Sequence, residues 1–284
     1  MVVKSLTLSS IRCLFSFLFL FSGLYAASKG NAQGVNQKKE CVVLLCNKRY
    51  FPKFLDTVQL LVTKGNYHGD ICLVIGDDLV GDELLNHKVI RKNHILVKHF
   101  PDLSFPDSFL DVARNLPNFG KLFQYHKLHL FNTYFKQWQT LLYIDCGMKI
   151  HSDIRPILKA KKSGVLLAHS DAYPSYFWKL YDQFSKEEAD YYDKLSENFN
   201  LEVDYFQTTM MLYDTSIIQE DTFQNLYDLA LKYPISITND QGIIALYFTN
   251  IAAVWEQIAL HDEKRFFYDY LKREKGNKYI MLKN

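Results

Sequence analysis

The sequence lacks the short motifs of several common enzyme classes. It contains no Cys-x-x-Cys pair and no Cys/His spacing typical of a zinc site. The absence of Gly-x-Ser-x-Gly argues against the nucleophile elbow of an α/β-hydrolase. The residues after the first apolar run, Asn47 to Tyr50, include no glycine, so they do not form the phosphate loop expected of a nucleotidyltransferase. Another nucleotide-dependent α/β enzyme is therefore a weaker alternative.

An excess of charge of one sign is also missing. The 284 residues include 33 Lys and Arg against 31 Asp and Glu, and no stretch is dense in basic residues. We therefore expect no nucleic-acid partner. No Asn-x-Ser/Thr sequence occurs, so N-glycosylation gives no support for a eukaryotic secretory origin.

Cysteine is scarce, with five residues in the chain. Cys13 lies in the N-terminal apolar run, and the others are Cys41, Cys46, Cys72 and Cys146. Most of them lie in or beside apolar runs, which favours small buried side chains over metal ligands. An oxidising compartment would also permit a disulfide, whose pairing the sequence does not determine.

The N-terminus is typical of a targeting segment. Lys4 and Arg12 precede an apolar run at 13–24, and small residues follow at 26–28. A basic start, a short apolar run and small residues characterise a signal peptide. The run is shorter than the ~20 residues that a membrane-spanning helix usually needs.

These features divide the chain into three parts. We predict a signal peptide or signal anchor at 1–27, a polar linker at 28–39 and a single domain at 40–284. The route is then secretory, which means a periplasmic, secreted or endomembrane-lumen protein. Contact with a membrane is expected only through the N-terminal segment, if it is not cleaved.

Short apolar runs that end in polar residues predict an α/β fold. Cys41 to Cys46, Asp70 to Ile75 and Gly164 to Ala168 are too short and too β-favouring for helices. An amphipathic helix that opens at Pro52 connects the first two runs, which makes a β-α-β unit. We expect one domain with a mostly parallel central sheet flanked by helices and a Rossmann-like N-terminal half.

The central feature of the sequence is Leu141 to Met148, where an apolar run ends in Asp145, Cys146 and Gly147. In open α/β sheets, ligands bind outside the carboxyl ends of the strands. An aspartate at such a position is either a turn residue bonded to backbone N–H groups or a ligand-binding carboxylate, because burial without a partner is costly.

Other polar residues fall at comparable positions. Asp171 follows the run at Gly164 to Ala168, and Gln207 and Thr208 interrupt the apolar run Phe206 to Tyr213. Polar residues in such a run indicate a lined cleft. Two further candidates lie on predicted helices, Lys127 within Phe119 to Phe135 and the pair Asp240-Gln241 at a helix start.

In this order, the segments resemble the glycosyltransferases of the GT-A fold, in particular the glycogenin-like members of family 8. The resemblance covers roughly Cys41 to Phe248. Five segments carry it: Tyr125-His126-Lys127-Leu128, Leu142 to Gly147, Leu166 to Asp171, Phe206 to Leu212 and Asp240-Gln241.

The resemblance implies an activity and a set of site residues. The activity is transfer of a sugar from a nucleoside-diphosphate sugar, most often a UDP-sugar, to a glycan, lipid or protein acceptor, with retention of anomeric configuration. Asp240 and Gln241 would be catalytic, with Gln241 near the reacting carbon. The residues that would bind the nucleotide sugar are Lys127, Asp145, Gly147, Asp171, Gln207 and Thr208.

The sequence departs from the family at its metal-binding motif. The family's Asp-x-Asp holds a divalent cation, Mn²⁺ or Mg²⁺, whereas this chain has Gly147 at the second position. One carboxylate fewer weakens a site that prefers oxygen ligands. Asp145 is the candidate metal ligand, and His261 is a weaker one. The main alternative function is therefore a catalytically silent GT-A-like domain that binds carbohydrate or a partner protein.

Overall fold

A seven-stranded sheet forms the centre of the protein. The computed structural model describes residues 38–173, 175–261, 266–269 and 279–283. The strands are β1 (Lys38–Cys46), β2 (Asp70–Ile75), β3 (Leu96–His99), β4 (Trp138–Ile144), β5 (Met148–Ile150), β6 (Leu166–Ser170), β7 (Phe206–Asp214), β8 (Trp255–Gln257), β9 (Phe266–Asp269) and β10 (Tyr279–Lys283). The predicted signal segment lies outside the described residues, and β1 starts inside the predicted linker.

The strand order in the large sheet is β3-β2-β1-β4-β7-β6-β8. The first four strands run parallel to one another, and β7 is antiparallel to both of its neighbours. A smaller sheet has the order β5-β10-β9. Its strand β5 comes shortly after the end of β4 in the chain. The predicted α/β domain with a mostly parallel sheet and a Rossmann-like N-terminal half is confirmed.

Seven α-helices lie in the described residues. They are α1 (Phe51–Thr63), α2 (Lys88–Lys92), α3 (Asp107–Ala113), α4 (Arg155–Lys159), α5 (Ala189–Asn198), α6 (Thr222–Lys232) and α7 (Asp240–Leu246). None of the described helices combines the length and the hydropathy that a membrane-spanning segment needs.

The two faces of the sheet contact different helices, because side chains alternate along each strand. Val42 and Leu142 belong to a core layer that includes buried residues of α1, α2 and α4. Val43 and Tyr143 belong to the opposite layer, which includes buried residues of α3, α6 and α7. Tyr143 therefore lies on the face that carries α7, and Asp145 two residues later follows it on that side.

The segment that carries Lys127 differs from its prediction as one helix at Phe119 to Phe135. It forms a 3₁₀ helix at Phe119–Phe131 and a second at Thr133–Gln137. Asn132 separates them with extended backbone, and its side chain accepts a hydrogen bond from the N–H of Tyr134. Because Asn and Asp side chains bond nearby backbone groups, they favour such breaks over continued helix.

The cysteines in the described residues form no disulfide. Cys41, Cys46 and Cys72 are buried, and Cys146 is half-buried. Burial raises the pKa of the Cys72 thiol to about 12. These thiols are packed as small apolar groups, as the sequence favours.

Candidate active site

A cleft of about 580 Å³ opens at the carboxyl ends of β1 and β4. Its lining includes Leu45 and Cys46 from β1, Tyr143 from β4 and the turn at 145–148. The cleft thus lies where ligands bind in open α/β sheets. Its size suits a small organic ligand.

Asp145 is held at the end of β4 by three contacts. Its backbone N–H donates to the carbonyl oxygen of Thr209 on β7 at 2.9 Å. The hydroxyl of Tyr143 donates to its Oδ1 at 2.7 Å. Nζ of Lys127 lies 3.4 Å from the same oxygen. The carboxylate is about a quarter exposed and forms part of the cleft wall.

Lys127 reaches the site from the 3₁₀ helix and is buried. Its Nζ lies 2.9 Å from Oδ2 of Asp240 and donates to Oγ1 of Thr208 at 3.1 Å. Burial alone would lower the pKa of Lys127, but the carboxylates of Asp145 and Asp240 outweigh it and raise the pKa. The ammonium group is therefore kept charged between two carboxylates.

Asp240 opens α7 and is also buried. The hydroxyl of Thr208 donates to its Oδ2 at 2.8 Å. Burial raises the pKa of this carboxyl, and the Lys127 ammonium opposes the rise. Thr208 uses its hydroxyl as donor to Asp240 and acceptor from Lys127, so one side chain on β7 connects both members of the ion pair.

A second group of contacts surrounds Asp171, at the carboxyl end of β6. Tyr205 donates to its Oδ2 at 2.7 Å, and Nε2 of Gln207 donates to its Oδ1 at 2.5 Å. Nε2 of Gln241 lies 3.3 Å from Oδ2 of the same carboxylate. Oε1 of Gln241 accepts the backbone N–H of Thr208 at 3.3 Å, which joins this group to the one around Lys127.

The start of α7 is positioned by unusual local geometry. Asn239 has φ +55°, in the left-handed region, and its side chain donates to Oε1 of Gln124 at 2.8 Å. A Cβ at Gly242 would lie 2.5 Å from Oγ of Ser236, so only glycine fits without a shift. These contacts bring the consecutive residues Asp240 and Gln241 into separate parts of the network.

Most of the predicted site residues therefore meet in one hydrogen-bonded network. It contains Lys127, Asp145, Asp171, Gln207, Thr208, Asp240 and Gln241. Gly147 lies in the cleft wall beside it, and its N–H donates to Oγ1 of Thr57 at 2.9 Å. His261 is exposed and is not part of the cleft lining. The individual roles of these residues stay predictions.

Sequence reasoning missed several side chains of this region. Tyr143 lies two residues before Asp145. Because side chains two residues apart on a strand lie on the same face, the sequence could have indicated that Tyr143 is near Asp145. Gln183 accepts hydrogen bonds from Gln241 and Thr238, and it comes from a distant segment with no motif. The cations Arg49, Lys53, Lys121 and Lys149 also line the cleft, and no local pattern indicates them.

The described residues do not fit a divalent cation. Among the described cleft-lining residues, Asp56 and Asp145 are the carboxylates, and no described cluster of three or more His, Cys, Asp or Glu residues could hold a metal. Asp153 is bonded to Arg155, with Nε to Oδ2 at 2.6 Å, and Asp240 is paired with Lys127. Mn²⁺ and Mg²⁺ prefer about six oxygen ligands, and this donor set is too small.

The comparisons with known proteins agree with this fold. The galactosyltransferase LgtC, in complex with donor and acceptor sugar analogs, is similar with a TM-score of 0.52 and 12% identity over 80% of this chain and 75% of that chain. An active-site mutant of LgtC is similar with a TM-score of 0.52 and 11% identity over the same shares. No family model and no curated protein sequence matches the chain. The chain has the GT-A fold.

Proposed function

We propose that this chain is a glycosyltransferase that moves a sugar from a nucleoside-diphosphate sugar to a glycan, lipid or protein acceptor. A UDP-sugar is the first candidate. The observation that carries the proposal is the network around Lys127, Asp145, Thr208 and Asp240, which lies beside a cleft at the carboxyl edge of a GT-A sheet. A purely structural ion pair does not account for the additional cationic side chains that line the cleft next to it.

The cleft suits the diphosphate part of the nucleotide sugar. In the reaction, the bond between the sugar and the diphosphate breaks, and negative charge develops on the departing phosphate oxygens. Stabilisation of that charge is the role that we propose for Lys127 and the other cations of the cleft lining. Asp145, fixed by Tyr143 and Lys127, remains exposed enough to accept hydrogen bonds from the ribose hydroxyls.

The neighbouring group around Asp171 suits the sugar. Its carboxylate, with Gln207 and Gln241, forms a dense set of hydrogen-bonding groups next to the ion pair. Sugar hydroxyls are recognised by such groups. We assign Gln241 to the neighbourhood of the reacting carbon and propose transfer with retention, as the resemblance to family 8 implies.

A divalent cation at Asp145 stays a prediction. Because the described carboxylates are too few or already paired, we assign no step of the reaction to it.

The experiment that tests the proposal is hydrolysis of nucleotide sugars by the full chain. A panel of UDP-, GDP- and CDP-sugars is incubated with protein, and the released nucleoside diphosphate is measured. Release from one member of the panel, lost in Asp145→Asn, is expected. The matched control is Asp111→Asn, since Asp111 is exposed and pairs with Arg114 far from the cleft. No release from any member would contradict the proposal.

The alternative function is a catalytically silent GT-A-like domain that binds carbohydrate or a partner protein. It is favoured by Gly147, which removes the second motif carboxylate, and by the close pairing of Lys127 with Asp240. Nucleotide or glycan binding without nucleotide release would support it. Another nucleotide-dependent α/β enzyme would release nucleotide with no transfer to any sugar acceptor.

A further inference from the structure

Gly147 has a backbone conformation that disfavours the usual second aspartate. Its φ is +96°, in the region that L side chains rarely adopt. A Cβ built on it would lie 3.4 Å from Cδ of Lys53. A carboxylate at this position would therefore be strained, and its side chain would meet the Lys53 side chain.

Two hydrogen bonds through Thr57 connect the backbone of Lys53 to the backbone of Gly147. The N–H of Gly147 donates to Oγ1 of Thr57 at 2.9 Å. The same hydroxyl donates to the carbonyl oxygen of Lys53, one turn earlier on α1, at 2.9 Å. Thr57 is buried, whereas Lys53 is exposed to the cleft with its Nζ 4.8 Å from the ring centre of Tyr50. The backbone position of Lys53 is thus tied to that of Gly147.

The cleft as a whole has the charge of an anion site. Five cationic residues line it against two carboxylates. The cations are Arg49, Lys53, Lys121, Lys127 and Lys149, and the carboxylates are Asp56 and Asp145. A cleft with an excess of charge of one sign attracts ions of the other sign and concentrates them. An anion of more than one charge, such as a diphosphate, fits this lining better than a cation does.

We infer that Lys53, whose side chain lies beside Gly147, binds the diphosphate of the nucleotide sugar in place of a divalent cation. This inference rests on the proposed function. Charge compensation then comes from side chains of α1 and of the cleft wall, and binding of the nucleotide is independent of divalent cations. Lysine suits the role because its ammonium group is a compact point charge on a flexible stem.

Calorimetric titration of the full chain with UDP, GDP and CDP tests the inference. Each titration is done in excess EDTA and again in excess Mn²⁺. The nucleotide that binds should have a Kd that differs by less than about twofold between the two conditions. In EDTA, Lys53→Met should raise that Kd about tenfold, and Lys53→Arg should stay near the wild-type value, because it keeps the charge.

The control is Lys64→Met, the same change at the end of α1 and outside the cleft lining. It should leave the Kd unchanged. Binding that requires Mn²⁺, or a Lys53→Met variant that binds as tightly as wild type, would overturn the inference and leave the proposed function standing. Absence of binding by all three nucleotides in both conditions would overturn the proposed function as well.

Discussion

Nζ of Lys127 lies 2.9 Å from Oδ2 of Asp240, and the two side chains are only 8% and 4% exposed. The pair joins the 3₁₀ helix at Phe119–Phe131 to the first turn of α7, two segments more than 100 residues apart in the sequence. Burying two charges costs free energy that mutual attraction and hydrogen bonds must offset. The pair therefore contributes a defined geometry to the site more than it contributes stability.

Removing one member of this pair should be strongly destabilising. Lys127→Met leaves the Asp240 carboxylate buried without its cation, and we expect the free energy of unfolding to fall by about 3–5 kcal/mol. Urea denaturation at neutral pH measures it. The double variant Lys127→Met/Asp240→Asn should recover part of the loss, because the buried position 240 no longer carries an unpaired charge.

The control for this prediction is an exposed ion pair. Nζ of Lys38 lies 2.8 Å from Oδ2 of Asp70, with side chains 50% and 36% exposed. Lys38→Met should change the free energy of unfolding by about 1 kcal/mol or less. Equal effects of Lys38→Met and Lys127→Met would contradict the role given to burial.

Gly147 and Gly81 both have a positive φ, so the same substitution at the two positions separates the effect of backbone strain from an effect on nucleotide binding. Gly147 and Gly81 have φ of +96° and +73°, and a Cβ at Gly81 would have no heavy atom within 4 Å. Replacing either by alanine should destabilise the fold by about 1–2 kcal/mol, because of the left-handed backbone. Only Gly147→Ala should also weaken nucleotide binding, since Gly147 is part of the cleft lining and Gly81 is not. Calorimetric titration of both variants measures the difference, and equal nucleotide Kd values would contradict the prediction.

Gln241→Glu should separate catalysis from nucleotide binding. Nε2 of Gln241 donates to Asp171 at 3.3 Å and to Gln183 at 3.0 Å, and a carboxylate there would face Asp171 with like charge. Gln241 is not part of the cleft lining. We expect kcat for nucleotide-sugar hydrolysis to fall about 100-fold, the size of effect seen when one preorganised donor is removed. The nucleotide Kd should stay within about twofold of wild type.

The matched control is Gln224→Glu, on the exposed face of α6. It makes the same chemical change away from the network and should leave kcat and Kd unaltered. A large rise in nucleotide Kd for Gln241→Glu would place this side chain at the nucleotide instead of at the sugar.

His129 should make the fold sensitive to acid. Its ring stacks on Phe100 and Phe223 with centroids 4.6 and 4.5 Å away. Burial lowers the pKa of His129 to about 3, and His126 acts in the same direction. The pKa of His129 is lower in the folded protein than the value of about 6.5 in the unfolded chain, so the unfolded state binds a proton first as the pH falls. The contribution of the neutral, buried ring to stability is therefore fully present above pH ~6.5 and is lost as the pH falls towards 3. At pH 4 the loss is about 3 kcal/mol.

Urea unfolding at a series of pH values from 7.5 to 4 measures this dependence. His129→Phe keeps the ring and removes the titrating group, so its stability should fall less steeply with pH than that of wild type. His68→Phe is the control, because His68 is exposed. Parallel pH profiles for wild type and His129→Phe would show that another group is responsible.

The sequence alone determined the positions of β1, β2, β4, β6 and β7 in the chain and the polar residues that follow or interrupt them. Apolar runs such as Cys41 to Cys46 and Leu141 to Ile144 are local signals, because their composition and length predict strands without knowledge of the segments that cover them. The confirmed sheet follows from them. The candidate residues are recognisable by their positions in these elements. Asp145 and Asp171 follow strands, Thr208 lies within a strand, and Asp240 starts a helix.

Only the tertiary structure decided how these residues pair and what surrounds them. Lys127 lies in a 3₁₀ helix interrupted at Asn132 instead of in one long helix, and its burial between two carboxylates depends on segments that meet only in the fold. The approach of Lys53 to Gly147 joins residues more than 90 positions apart. Periodicity describes neighbours along the chain, whereas the charge of a cleft is the sum over segments that the fold brings together.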